Sequence, residues 1–218
     1  MVSANREDYL LAIYRLNKEG GPAKTTDVAE ALDVSPASVT EMVKRLSEDG
    51  LVEYERYRGA NLTPKGYRHA HRMHRKHRLV EKFFVEVLEA DVDAAHSSAC
   101  SIEHNFSDEA ARKLCRIIGS PDDECGCDDL CEDLCDNRKL GGQRLSELKE
   151  GETARVSHLI CDSPEKVRKL IAMGLVPGRM VKLEGGMPMK GPMVIRMEDS
   201  LVALDREYTS LVMVDKEE

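Results

Sequence analysis

A chain of 218 residues with 33% charged, 4% aromatic and no Trp residues has room for two or three small domains rather than one large core. Its net charge of -8 is unevenly spread: residues 1–80 hold 14 Lys and Arg against 11 Asp and Glu, residues 81–140 hold 6 against 16, and residues 141–218 hold 12 against 13. No secretory leader is visible in the charged first 30 residues, and no apolar run approaches the roughly 18 residues needed to cross a bilayer, so a cytoplasmic protein without membrane contact is expected. A basic amino-terminal third on an acidic body suits a protein that touches a polyanion with one end.

The first predicted helix is centred on Asp8–Leu16, with Tyr9, Ala12, Ile13 and Leu16 on one face, and Gly20-Gly21-Pro22 ends it. A short helix, Thr26 to Leu32, follows with Thr25 or Thr26 as N-cap. Ser35-Pro36 then starts a third helix that Gly50 stops. Leu51–Arg58 alternates as a strand does, Gly59-Ala60-Asn61 reads as a turn, and Leu62-Thr63 as a return strand. This order is that of a winged helix-turn-helix. Its second helix of the motif enters the major groove of double-stranded DNA, offering Ser35, Ala37, Ser38, Thr40, Glu41 and Lys44 near its start. Lys24, Arg56, Tyr57 and Arg58 are natural phosphate partners.

Thr63-Pro64 opens a long helix to about Leu88, Asp91 to about Phe106 reads as a second and Asp108 to Ile118 as a third. His77 and Glu81 lie one turn apart on the first of these, and His96, Cys100, Glu103 and His104 at helical offsets of 0, 4, 7 and 8 on the next. Such a nitrogen, oxygen and sulfur set on two helices points to a metal site. Beside a DNA-binding module, it suggests a metal that controls DNA binding. An open catalytic position beside a general base is not visible, so an enzyme is not expected.

Three segments now resemble the diphtheria toxin repressor family of metal-dependent transcriptional regulators: the helix-turn-helix with Asp49-Gly50-Leu51-Val52, the run Arg75–Glu81, and His96–His104. The likeness covers about residues 4–118. It implies a homodimer that binds a palindromic operator when loaded with Fe²⁺ or Mn²⁺ and represses metal-uptake genes. By that likeness His77, Glu81 and His96 fall on an ancillary site, and Cys100, Glu103 and His104 on a primary site completed by Asp8 from the first helix. Asp8 matches the manganese-responsive branch and Cys100 the iron-responsive one, while Leu11 stands where the manganese branch carries a Glu. A soft thiolate suits Fe²⁺ better than Mn²⁺, which favours an Fe²⁺-activated repressor of iron-uptake genes over a manganese regulator. A further alternative is a metal-handling adaptor acting through the carboxy-terminal domain.

Residues 120–141 form an acidic linker holding Cys125, Cys127, Cys131 and Cys135. In a reducing compartment these suit Zn²⁺, an iron–sulfur cluster, reversible thiol oxidation or a plain linker. Beyond it, five short strands are expected at Thr153–Ile160, Met180–Glu184, Met193–Met197, Leu201–Leu204 and Leu211–Val214, with one helix capped by Ser163 and followed by Gly174. The segment Ala172–Gly178, with Gly191-Pro192 before Val194, resembles the FeoA-type SH3-like domain. Family members with two full metal sites draw Glu and Gln from such a domain. Ser163 and Lys166 fall there; Asp162 or Glu165 could substitute, but a domain that makes only protein contacts is the favoured reading. The expected fold is therefore mainly α with a small β domain: a winged helix-turn-helix at 1–66, an all-α dimerisation and metal-binding domain at 67–119, the Cys-rich linker at 120–141, and an SH3-like β barrel of FeoA type at 142–218.

Overall fold

The computed structural model describes residues 3–120, 142–187, 189 and 191–216. The four linker cysteines, Cys125, Cys127, Cys131 and Cys135, lie outside the described residues. The chain divides into two compact units, one made of Met1–Arg78 with Ala99–Asn105 and the other of Leu79–Ser98 with Phe106–Glu218.

The first unit begins with α1 (Ala4–Glu19), α2 (Thr25–Leu32) and α3 (Pro36–Glu48), followed by the antiparallel hairpin β1 (Val52–Glu55) and β2 (Gly59–Leu62). Leu10, Ile13 and Tyr14 of α1, Val28 of α2 and Val39 and Leu46 of α3 share one buried core. This is the winged helix-turn-helix. Ser35 caps α3 as expected, its Oγ accepting from the Ser38 amide at 3.1 Å, with Pro36 in the first turn. Two expectations are corrected. Helix α2 begins at Thr25, with Lys24 in the cap position and no side-chain cap. The wing turns earlier than its sequence suggests: Gly59-Ala60-Asn61 is the start of β2, paired with Glu55, Tyr54 and Glu53, and Arg56–Arg58 make the turn. The reason lies at Gly59 and Ala60. The Ala23 amide donates to the Ala60 carbonyl and the Ala60 amide to the Ala23 carbonyl, both at 2.9 Å, so this stretch is held extended on both sides. A Cβ on Gly59 would meet the Ala23 carbonyl oxygen at 2.6 Å, so only glycine fits.

Helix α4 (Pro64–Glu86) starts against the wing. At Gly66 a Cβ would sit 1.9 Å from the Leu51 carbonyl oxygen. Glycine therefore sets how closely the helix that carries His69 and His77 approaches the hairpin. Helix α5 (Val92–Ile102) was expected to run on to about Phe106. It stops at Ile102, and Glu103–Asn105 tighten into a 3₁₀ turn, as helix ends often do. Glu103 and His104 thus leave the α-helical register of His96 and Cys100.

In the second unit, α6 (Asp108–Ile118) is capped by Ser107 and followed by β3 (Gln143–Arg144), β4 (Thr153–Leu159), α7 (Pro164–Ala172), β5 (Met180–Gly186), β6 (Met193–Met197), β7 (Ser200–Leu204), the short α8 (Arg206–Thr209) and β8 (Val212–Lys216). One antiparallel sheet in the order β3-β8-β4-β5-β6-β7 joins these strands. All five expected strands are present. The two-residue β3, which no pattern announced, pairs with β8 through Gln143 and Arg144. Leu79 of α4 and Ala111, Cys115 and Ile118 of α6 are buried in the same core as Val156, Leu170, Ile195 and Val214. Changing Gly66 to Ala should cost about 1–3 kcal/mol of stability through forced backbone displacement. Urea unfolding measures this, and a loss below about 0.5 kcal/mol would show that the close approach is not required.

Candidate metal centre

Helix α1 presents two consecutive carboxylates, Glu7 at the end of its first turn and Asp8 at the start of the second. Both reach His104, whose ring lies between them: Nδ1 is 2.8 Å from Glu7 Oε2, and Nε2 is 2.9 Å from Asp8 Oδ1. Glu103 adds a third carboxylate, with Oε1 3.7 Å from His104 Nε2. Its other oxygen, Oε2, lies 2.8 Å from Nδ1 of His77. The ligand atoms of Asp8, Glu103 and His104 all fall within 4.8 Å of one another.

Burial makes this cluster electrically demanding. The side chains of Glu103 and His77 are only 5% and 3% exposed, while Asp8 at 46% opens the group to solvent. A buried carboxylate is costly without a cation or a donor beside it. Burial alone works against a charged His104, but the hydrogen bond from its ring to Glu7 and the charges of Asp8 and Glu103 outweigh it, raising its pKa above the ordinary 6.5. With carboxylates on both ring nitrogens, an imidazolium is the natural state. The same donor set, oxygen-rich with one imidazole nitrogen, suits a divalent first-row cation that touches each atom at about 2 Å. The residues therefore fit a metal.

Other expected ligands are placed as follows. Cys100 lies on α5 and is exposed; its Sγ is outside the Asp8–Glu103–His104 group, and it lies within 4.8 Å of the offered ligand atom of His77. In the second unit, Glu81 Oε1 and His96 Nδ1 are 3.3 Å apart. Asp162 pairs with Lys166 at 2.7 Å and Glu165 with Lys169 at 2.8 Å. Burial pushes the Cys161 thiol up to about 11, which leaves it inert at neutral pH. Two residues escaped the sequence reading, Glu7 and His69. His69 Nε2 on α4 is 3.0 Å from Glu7 Oε1. Glu7 had one available signal, its place beside Asp8. His69 had none, since one histidine in a run of several on α4 does not stand out.

On the candidate DNA face, Ser35, Ala37, Ser38, Glu41 and Lys44 are exposed around the start of α3, and Thr40 is half-buried with its hydroxyl on the Pro36 carbonyl. Lys24, Arg56, Tyr57 and Arg58 are exposed as well. At the wing tip Tyr57 takes a φ of 68° and lies 91% exposed, with the Arg56 guanidinium 5.0 Å from its ring centre. Glu41 pairs with Arg45 at 2.5 Å, and Arg58 with Glu55 at 3.0 Å.

Because its pKa is raised in the fold, His104 contributes ion-pair stability that is fully present below about pH 6.5 and is lost as pH climbs through the raised value. In metal-free protein, His104→Gln should therefore cost about 1–3 kcal/mol near pH 6, the scale of a charged hydrogen bond, and less near pH 9. Urea unfolding with chelator at the two pH values checks this. An equal loss at both would remove the ion-pair account.

Comparison with known proteins identifies the domains. Residues 1–60 match the iron dependent repressor N-terminal DNA binding domain, residues 63–129 the iron dependent repressor metal binding and dimerisation domain, and residues 143–216 the FeoA domain. An HTH-type transcriptional regulator of Methanocaldococcus jannaschii is 42% identical over 114 residues, 52% of this chain and 91% of the relative. The HTH-type transcriptional regulator MntR of Lysinibacillus sphaericus is 36% identical over 118 residues, 54% of this chain and 84% of the relative. The crystal structure of T. acidophilum IdeR aligns over 100% of both chains at 23% identity with a TM-score of 0.49. With a DNA-binding domain, a metal-binding and dimerisation domain and a FeoA domain in sequence, the chain belongs to the diphtheria toxin repressor family of metal-dependent transcriptional regulators, which are not enzymes.

Proposed function

We propose that this regulator, acting as a homodimer on a palindromic operator, represses iron-uptake genes when Fe²⁺ is held by Asp8, Glu103 and His104. The observation that supports this reading is the meeting of Asp8, on the first helix of the winged helix-turn-helix, with Glu103 and His104, which follow α5. A bound divalent cation supplies positive charge to carboxylates that otherwise repel one another. Asp8 then ties α1 to the 3₁₀ turn after α5. Because α1, α2 and α3 share one core, that tie also restrains the helix that faces DNA. Conformations with α3 correctly placed for a half-site become more populated, and operator affinity rises by differential binding of the cation. Ser35, Ala37, Ser38, Thr40, Glu41 and Lys44 would face base edges, with Lys24, Arg56, Tyr57 and Arg58 on the phosphates. Glu81 with His96 offers a further oxygen and nitrogen pair for a cation.

The preference for iron over manganese rests on Cys100, which family likeness assigns to this site although its Sγ lies outside the Asp8–Glu103–His104 group, because a thiol suits Fe²⁺ better than Mn²⁺. A second reading, Mn²⁺, draws on one observation: the ligand atoms gathered with Asp8 are oxygen and nitrogen alone.

Anaerobic titration of Fe²⁺ and of Mn²⁺ against the full-length protein, with a fragment of its own promoter followed by fluorescence anisotropy, separates the two. The first reading expects activation of DNA binding at lower free Fe²⁺ than Mn²⁺. Activation by Mn²⁺ alone selects the second. Asp8→Ala should weaken metal-dependent DNA binding by about tenfold or more, within the usual span of coupling between two sites, with the dimer intact by light scattering. Unchanged metal-activated binding in that variant would overturn the switch.

A further inference from the structure

The His104 ring is gripped on two sides by neighbouring residues of one helix, and only one of those contacts is explained by metal ligation. Asp8 faces Nε2 along with Glu103 Oε1, which makes Nε2 the nitrogen aimed at the cation position. Nδ1 points the other way, onto Glu7 Oε2 at 2.8 Å. The second oxygen of Glu7 is itself occupied by Nε2 of His69 at 3.0 Å. A carboxylate only accepts, so both rings donate to it. The Glu7 side chain is 12% exposed, and its geometry is fixed from both ends. Lys76 of α4 adds a cation near Glu7, with its own pKa pushed down by burial and by Arg72 while Glu7 opposes that shift.

We propose that Glu7 is a positioning residue for the metal ligand His104, holding its Nδ1–H so that Nε2 alone is presented to the cation, and that His69 fixes Glu7 in turn. This rests on the reading that Asp8, Glu103 and His104 hold the metal. The physical basis is general: an imidazole ligand has two equivalent-looking nitrogens, and the hydrogen bond at one decides which the metal receives. A carboxylate at that position also raises the basicity of the ligating nitrogen. Helix α1 would thus act on the cation twice, through Asp8 directly and through Glu7 by way of the His104 ring. His69 extends that chain to α4, so a helix outside the ligand set also bears on the metal.

The test uses the full-length protein with Mn²⁺ for affinity and Zn²⁺ as a diamagnetic probe for ¹⁵N-histidine NMR. In wild-type protein with Zn²⁺, His104 should show a metal-bound Nε2 and a protonated Nδ1. Glu7→Ala should weaken Mn²⁺ binding by about 10–100-fold, the range for loss of a carboxylate behind a ligating histidine, and should split the ring signal between the two modes of coordination. Glu7→Gln, whose amide oxygen can still accept from Nδ1–H, should keep the wild-type ring signature and lose less affinity; it also carries the test if the alanine variant folds poorly. His69→Ala should weaken Mn²⁺ binding in the same direction by a smaller factor. Asp8→Ala serves as the reference. If Asp8→Ala loses Mn²⁺ binding while Glu7→Ala stays within about twofold of wild type and keeps Nε2 coordination, the positioning role is wrong. If Asp8→Ala also binds Mn²⁺ as wild type does, the metal-site reading itself fails, and the inference falls with it.

Discussion

Carboxylates from two places in the chain, Glu7 and Asp8 on α1 and Glu103 after α5, converge on a single imidazole. Three negative groups around a half-buried ring do not persist without positive charge among them. In the metal-free fold the His104 proton meets part of that need, which is why its pKa rises despite burial. A divalent cation meets it more fully. In the proposed site cation and proton would therefore compete for the same pocket of negative potential, and metal binding would release the proton it displaces. The proposed sensing property follows from where these carboxylates are anchored. Two of them sit on the helix that supports the DNA-reading motif, so a local charge requirement becomes a constraint on a whole module.

Much of this was legible in the sequence, for identifiable reasons. Ser35-Pro36 announced the start of α3 because the capping hydroxyl and the ring's fixed φ are local properties. The five strands of the carboxy-terminal sheet followed from alternation between turn residues. Among the candidate metal ligands, helical spacing picked out His96 with Cys100 and His77 with Glu81, but the grouping of Cys100, Glu103 and His104 with Asp8 came only from family likeness. Glu103 and His104 were grouped with Cys100 by an α-helical offset. The chain instead tightens at Glu103, and that change of register carries the carboxylate inward to His77 and the imidazole toward α1. The wing turn was misplaced by three residues because Gly59 reads as a turn former. Its real task is to let Ala23 lie against β2, a long-range contact no local pattern contains. Glu7 and His69 are the clearest case. Each is an ordinary polar residue on a helix until the fold sets them 3.0 Å apart.

The DNA-facing end shows a related economy. Most of the side chains expected to approach a duplex are exposed and lightly engaged, while the residues behind them, Val39, Val43 and Leu46, are fully packed. Tyr57 is the exception in kind: a large aromatic held out at the wing tip in a left-handed backbone conformation, with Arg56 over its ring. Such a conformation is uncommon outside glycine and asparagine. The ring and guanidinium stand together there, 5.0 Å apart, which in the proposed DNA contact would lower the ordering cost of meeting a polyanion.

The core shared by α6 and the sheet has a corollary for the integrity of this chain. Ala111, Cys115 and Ile118 are covered by strands that lie beyond the cysteine-bearing linker in sequence. A chain cut at that linker would present those side chains to water, and a free-standing FeoA-type module would present the opposite face. Truncation of this chain at the junction would expose that apolar face, even where the candidate metal ligands and the DNA-reading helix were left untouched. The carboxy-terminal domain of this chain is in this sense part of the same packed body as α6, and any role it has must be compatible with remaining there.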